Sequence, residues 1–177
     1  MSFVLYKELL EFRENIDTEC ENISILKIKA IKLDESKNLK ISFRQKMKMG
    51  HIGCCDYIRF SRDNLILIEF SDLIKQKRAL EKKYDNIKNS DKVIREENIN
   101  KIKNTLLLIS HYLKSKKRVD IYSKKFILGV CSDSKSDLIA FEKLKLELIS
   151  AAKPLIDTVS IIPINNKISI KKYLYNG

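Results

Sequence analysis

The 177-residue chain contains no tryptophan, two prolines and four glycines. So little proline and glycine excludes collagen-like and linker-like chains. No apolar run approaches the roughly 20 residues that a membrane-spanning helix needs. The N-terminus also lacks a basic segment followed by an apolar stretch, so we expect no secretory signal peptide. These absences predict a protein that is not associated with a membrane.

The cysteines are few and show no metal-binding spacing. Cys20, Cys54, Cys55 and Cys131 contain no CxxC pair. That pattern argues against a zinc site, and a chain of this length does not need a disulfide framework. We therefore expect four reduced, mostly buried thiols in a cytoplasmic protein.

Positive charge is in excess and is concentrated in one segment. The chain has 35 Lys and Arg against 23 Asp and Glu, and 44% apolar residues, enough for a hydrophobic core. Residues 73–118 contain 14 Lys and Arg against five acids. A basic helical segment suits a polyanion, and we favour nucleic acid because no amphipathic stretch carries Trp or several Phe for a membrane surface. A solvated, Lys-rich helix face is the alternative interpretation.

Hydrophobic periodicity predicts the order of helices and strands. The order indicates an α/β or α+β fold, with a mixed β-sheet flanked by helices. We expect a single domain over 1–177, with 73–118 as a basic helical insertion, and the strongly apolar strand 65–70 in the centre of the sheet. Residues 89–91 predict a break between two helices. The predicted helices are 3–16, 72–88, 92–115 and 136–152, and the predicted strands are 23–31, 39–43, 55–60, 65–70, 125–130, 159–164 and 168–173.

Two carboxylates stand out in the predicted hairpin 55–71. Asp56 opens one strand, and Glu69 closes the other 13 residues later. Glu69 interrupts an apolar strand, where an unpaired carboxylate is costly. Two carboxylates at one end of a hairpin offer oxygen ligands to Mg²⁺ or Mn²⁺. A metal held in this way can activate water and neutralise charge on a phosphoryl oxygen.

This hairpin, with a helix before it and a helix and strand after it, resembles the catalytic core of the PD-(D/E)XK nuclease superfamily. The resemblance covers roughly residues 3–150, mostly as architecture. It implies a restriction-endonuclease-like fold and metal-dependent hydrolysis of phosphodiester bonds in DNA or RNA. It also implies that Asp56 and Glu69 are catalytic metal ligands, and that an acid of the first helix, Glu8 or preferably Glu11, lies near the metal.

The sequence departs from the superfamily at one position, because Ser71 replaces the Lys that usually follows the Glu by two residues. In one interpretation the Lys role has moved to the next helix, where Lys75 or Lys77 reaches the metal-bound water. In another, Ser71 and Asp72 only cap that helix. The inactive fold would then bind nucleic acid or a partner protein in a bacterial defence, restriction or mobile-element complex. In the third, the resemblance is accidental.

The leading hypothesis is a nuclease-like protein that uses Mg²⁺ or Mn²⁺. Its basic helices would contact phosphates without reading sequence, so binding would weaken steeply with salt. A protein partner or a homo-oligomer is the alternative to nucleic acid, and the sequence does not distinguish DNA from RNA. The predicted phosphate-contacting residues are Lys82, Lys83, Lys88, Lys92 and Arg95.

Overall fold

The computed structural model describes residues 13–20, 23–33, 52–61, 63–84, 87–113, 119–131, 136–164 and 173–174. These residues form a six-stranded mixed sheet with three helices, which confirms the predicted α+β class. The strands are β1 (Arg13–Cys20), β2 (Ile23–Lys32), β3 (Tyr57–Phe60), β4 (Asn64–Ser71), β5 (Ser123–Val130) and β6 (Thr158–Pro163). The helices are α1 (Leu73–Tyr84), α2 (Ile87–Tyr112) and α3 (Ser136–Ala152).

The strands follow one another across the sheet in chain order. The pairs β1–β2, β2–β3 and β3–β4 are antiparallel, whereas β4–β5 and β5–β6 are parallel. Parallel neighbours need long crossover connections, which α1 and α2 provide between β4 and β5, and α3 between β5 and β6. β4 lies between β3 and β5, and residues 65–70 are all buried, so the predicted central strand is confirmed.

Side chains of β4 alternate between two hydrophobic clusters, one on each face of the sheet. Leu65 and Leu67 pack in the cluster that includes the helices, which we call the helix face. Ile66, Ile68 and Phe70 pack with residues of β1, β2, β5 and β6, which we call the hairpin face. The helix-face cluster includes Ile94, Ile102, Leu108 and Leu148. The hairpin-face cluster includes Ile16, Leu26, Ile28, Ile127 and Ile162.

The β1–β2 hairpin curls over the hairpin face and is attached there by a disulfide. Cys20 at the end of β1 is bonded to Cys131 after β5, with their Cα atoms 5.5 Å apart. In a flat sheet, strands four positions apart would be separated by about 19 Å. The expectation of four reduced thiols is therefore wrong for this pair, because curling brings together residues that sequence spacing does not relate. Cys54 and Cys55 are buried and are not disulfide-bonded.

Gly129 of β5 permits close packing on the hairpin face. A Cβ atom at this position would lie 2.5 Å from Phe70 Cδ1 and 2.6 Å from Ile164 Cδ1. Both distances are well inside van der Waals contact. Glycine is therefore needed because two large side chains cross the strand at this point.

Two predictions of local structure are wrong. Residues 13–16 were expected at the end of a helix, but they form part of β1, where Arg13 pairs with Ile31 and Ile16 is fully buried. The expected break at 89–91 lies inside α2, where Ser90 is buried and Asp91 pairs with α1. In both places, tertiary contacts outweigh the local preference for a helix or a cap.

Some predictions fall on residues outside the described ranges. They include most of the first helix, the strand 39–43 and almost all of the strand 168–173. The single-domain assignment and the treatment of 73–118 as an insertion stay predictions. Within the described ranges, no helix has the length and apolar character to cross a bilayer.

Candidate active site

The β3–β4 hairpin brings Asp56 and Glu69 together on the helix face. Tyr57 is paired with Ile68, so continuing the antiparallel register by one residue places Asp56 opposite Glu69. Asp56 Oδ2 accepts a hydrogen bond of 2.7 Å from the Phe70 backbone N–H. This bond holds the Asp56 carboxylate against the strand that carries Glu69. The two acids that the sequence singled out are therefore neighbours.

Glu69 is almost completely buried, and its two oxygens have different surroundings. Oε1 accepts a hydrogen bond from the Lys101 ammonium of α2 in an ion pair. Oε2 is buried and receives no hydrogen bond from the described residues. A buried carboxylate oxygen without a donor is costly, so it marks a place where a ligand would be stabilising.

Burial and the neighbouring Asp56 carboxylate determine the charge state of the Glu69–Lys101 pair. Burial raises the pKa of Glu69 to about 8, and the Asp56 carboxylate adds to the rise, while Lys101 opposes it. Burial lowers the pKa of Lys101, but the negative charges of Glu69 and Asp56 outweigh this effect and raise it overall. Lys101 is therefore a cation at neutral pH, and a second cation beside Glu69 would favour the ionised carboxylate.

Lys101 was not among the predicted site residues. It follows Glu69 by 32 residues and lies in the second helix, so no local spacing connects the two. A weak signal does exist in α2. The polar residues Asn98, Lys101 and Thr105 recur at intervals of three and four beside the buried Ile94 and Ile102, which places them on the face toward the sheet.

The predicted lysines of α1 occupy other positions. Lys77 Nζ lies 2.8 Å from Asp91 Oδ1 and so connects α1 to α2. Lys75 is exposed and lines the cavity beside Glu69. Its backbone N–H donates to Asp72 Oδ1 at 2.9 Å, so Asp72 caps α1 as the sequence predicted.

A cavity of about 380 Å³ opens where the end of β4 meets α1 and α2. Glu69 and Lys101 line it, together with a chain of hydrogen-bonded side chains. The Ser71 hydroxyl donates to Gln76 Oε1 at 3.1 Å, and Gln76 Nε2 donates to Glu97 Oε2 at 2.6 Å. Ser71 thus helps join β4 to both helices.

The predicted phosphate-contacting residues differ in exposure and in the contacts they make. Lys82 and Lys83 are exposed in the last turn of α1. Lys92 is exposed and lies 3.9 Å from Glu96 of its own helix. Arg95 pairs with Glu147 of α3 at 3.8 Å, which indicates a role in joining the two helices. The Lys88 side chain lies outside the described residues.

The donor set around Glu69 is suited to a hard divalent cation. Asp56 and Glu69 supply carboxylates, and Glu69 Oε2 is a buried acceptor to which no described residue donates. Mg²⁺ and Mn²⁺ prefer such oxygens. Among the described residues, however, no three His, Cys, Asp or Glu side chains converge to hold a metal. Further ligands would have to be other oxygens, and Glu11, the predicted additional acid, lies outside the described ranges.

Comparison with known proteins does not identify a relative. No protein-family model, curated protein or solved structure matches the chain. The function must therefore be argued from the residues around Glu69.

Proposed function

We propose that the protein is a metal-dependent nuclease with a restriction-endonuclease-like core, which hydrolyses phosphodiester bonds in DNA or RNA. The observation that carries this proposal is the convergence of Asp56 and Lys101 on Glu69, which lines a cavity together with Lys101. Lys101 supplies from α2 the ammonium that the superfamily usually supplies two residues after the Glu, where this chain has Ser71.

The topology supports the proposal. The hairpin β3–β4 carries Asp56 and Glu69, two helices follow, and β5 returns parallel to β4. This is the later part of the order on which the resemblance rests, and most of the helix predicted before the hairpin lies outside the described ranges. Glu69 lines the cavity at the end of β4, and Asp56 lies opposite it across the hairpin.

Each residue has a distinct role in this proposal. Asp56 and Glu69 would hold a divalent metal, which when bound supplies an activated water and neutralises charge on the phosphate. Glu69 Oε1 orients the Lys101 ammonium, whose remaining protons are available to the attacking water or to a phosphoryl oxygen as negative charge develops on it. The Lys101 side chain is one-third exposed, so it can reach a substrate in the cavity.

The basic side chains of α1 suit the phosphate backbone of the substrate. Lys75 lines the cavity, and Lys82 and Lys83 are exposed in the last turn of the same helix. Contacts of this kind position a nucleic acid without reading its sequence. Affinity would therefore fall steeply with salt.

The test compares the wild type with Glu69→Gln and Lys101→Met. Mn²⁺ binding is measured by calorimetry, and cleavage is assayed on single-stranded DNA, double-stranded DNA and RNA. We expect Glu69→Gln to lose Mn²⁺ binding and cleavage. Lys101→Met should retain Mn²⁺ binding, while cleavage falls by about 100-fold or more because transition-state charge loses a donor. Lys103→Met, an exposed residue of the same helix, is the matched control and should behave as wild type.

Two results would contradict the proposal. Unchanged cleavage in Lys101→Met would exclude a catalytic role for Lys101. Absence of both Mn²⁺ binding and cleavage in the wild type would exclude the nuclease. Salt-dependent binding of nucleic acid in that case would favour an inactive nuclease-like subunit. The engagement of Ser71 with Gln76, a structural contact at the superfamily Lys position, is the observation on the side of this second function.

A further inference from the structure

Asn98 of α2 has a buried amide oxygen without a hydrogen bond. The residue is 4% exposed and lines the cavity beside Glu69. Its Nδ2 donates to the Ile94 carbonyl at 2.8 Å. Because a carbonyl cannot donate, this bond determines the orientation of the amide. Oδ1 is therefore directed away from Ile94, and no donor among the described residues reaches it.

Asn98 Oδ1 and Glu69 Oε2 share this property and the same cavity. In the described part of the chain, they are the two buried side-chain atoms without a hydrogen bond. They belong to different elements, α2 and β4, and Lys101 connects these elements. Lys101 lies one turn after Asn98 and contacts the other oxygen of Glu69. Two buried acceptors on residues that line one cavity point to a ligand that is a cation or carries donors.

We propose that Asn98 Oδ1 is a third protein oxygen ligand of the divalent cation that Asp56 and Glu69 hold. This inference rests on the proposed function and adds a residue to its site. An amide oxygen is a suitable ligand for a hard cation. It also adds no negative charge where Asp56 and Glu69 already repel each other. A third ligand of this type agrees with the finding that no three acidic, His or Cys side chains converge in the described ranges.

The test is a titration with Mn²⁺ alone. Binding is measured by calorimetry and by the electron paramagnetic resonance signal of unbound Mn²⁺. Asn98→Leu removes the amide with little change in shape, and we expect Mn²⁺ affinity to fall at least about 10-fold. Asn98→Asp keeps an oxygen and adds a charge, so its affinity should equal or exceed that of the wild type. Asn100→Leu removes an exposed amide from the same helix and should leave the affinity unchanged.

Thermal unfolding without metal shows whether each variant is folded. If Asn98→Leu does not fold, Asn98→Asp decides, and an affinity below that of the wild type overturns the inference. Wild-type affinity in a folded Asn98→Leu also overturns it. In that case, loss of nucleic-acid affinity at equal Mn²⁺ occupancy would show that Oδ1 accepts from the substrate instead.

These outcomes separate the two proposals. If the wild type binds Mn²⁺, Glu69→Gln abolishes binding and Asn98→Leu has no effect, only the role of Asn98 fails. If the wild type binds no Mn²⁺, both the metal-dependent function and the role of Asn98 fail.

Discussion

The two faces of the sheet differ in how completely their buried polar groups are hydrogen-bonded. On the hairpin face, the Tyr57 hydroxyl accepts a hydrogen bond from the Asp17 N–H at 3.0 Å, and the Thr18 hydroxyl accepts one from the Cys20 N–H at 3.3 Å. On the helix face, Thr105 accepts from the Cys55 N–H at 2.9 Å, but Glu69 and Asn98 each keep a buried oxygen that receives no hydrogen bond from the described residues. The hairpin face is thus suited to stability, and the helix face is suited to a ligand.

A single strand serves both faces. Leu65 and Leu67 of β4 face the helices, and Glu69 continues the same alternation at the end where the cavity opens. The intervening residues Ile66, Ile68 and Phe70 are apolar and buried on the other face. The apolar face therefore supports the strand that presents the carboxylate, and changes to the two faces should have separable effects.

The largest effect should come from removing the disulfide that closes the hairpin face. The bond spans 111 residues. In the chain-entropy account, a loop of that size stabilises the fold by about 4–5 kcal/mol. We expect the double variant Cys20→Ser, Cys131→Ser to lose about that much free energy of unfolding, measured by urea denaturation.

Reductant provides the control for this experiment. Dithiothreitol should lower the unfolding midpoint of the wild type and leave that of the double variant unchanged. Equal midpoints for the oxidised wild type and the double variant would show that the bond contributes no stability. Loss of Mn²⁺ affinity in a folded double variant would show that the two faces are not separable.

A smaller effect is expected from crowding the hairpin face at Gly129. Gly129→Ala places a methyl group against Phe70 and Ile164, and overpacking of this kind costs about 1–3 kcal/mol. Gly53→Ala is the control, because a Cβ at Gly53 would lie 3.9 Å from the Lys101 side chain, at an ordinary contact distance. Its effect on the free energy of unfolding should stay within about 0.5 kcal/mol. Similar losses in both variants would contradict this packing argument.

The smallest change at any single step should be a pH dependence that belongs to the helix face. Burial, with the neighbouring Asp56, raises the pKa of Glu69 to about 8 from an ordinary value of 4.5, so between these values the folded protein holds a proton that the unfolded chain has released. Stability should therefore fall as the pH rises from about 5 to 8, by at most about 1.4 kcal/mol per pH unit. Urea denaturation across this range measures the slope.

Glu69→Gln should flatten this slope, whatever its effect on absolute stability through the loss of the Lys101 ion pair. Glu97→Gln removes an exposed carboxylate from the same cavity and should retain the wild-type slope. If Glu69→Gln has the same slope as the wild type, then Glu69 does not titrate between pH 5 and 8.

Local patterns in the sequence determined most of the described fold and the first pair of site residues. Alternation of apolar residues predicts β2, strongly apolar runs predict β4 and β5, and helical periodicity predicts α1 and α3. Asp56 and Glu69 meet because a short turn joins their strands, so 13 residues of sequence are enough to place them. Contacts that arise within one hairpin depend on register alone, and register is visible in the alternation.

Only the tertiary structure decided which distant residues complete the site and close the opposite face. Lys101 and Asn98 reach the cavity because of the way in which α2 packs on the sheet. Cys20 meets Cys131 because the β1–β2 hairpin curls over its neighbours. The helical pattern shows which face of α2 is buried, but not which strand residue that face meets. Which strand residue α2 contacts depends on packing among elements far apart in the chain, and sequence spacing does not predict it.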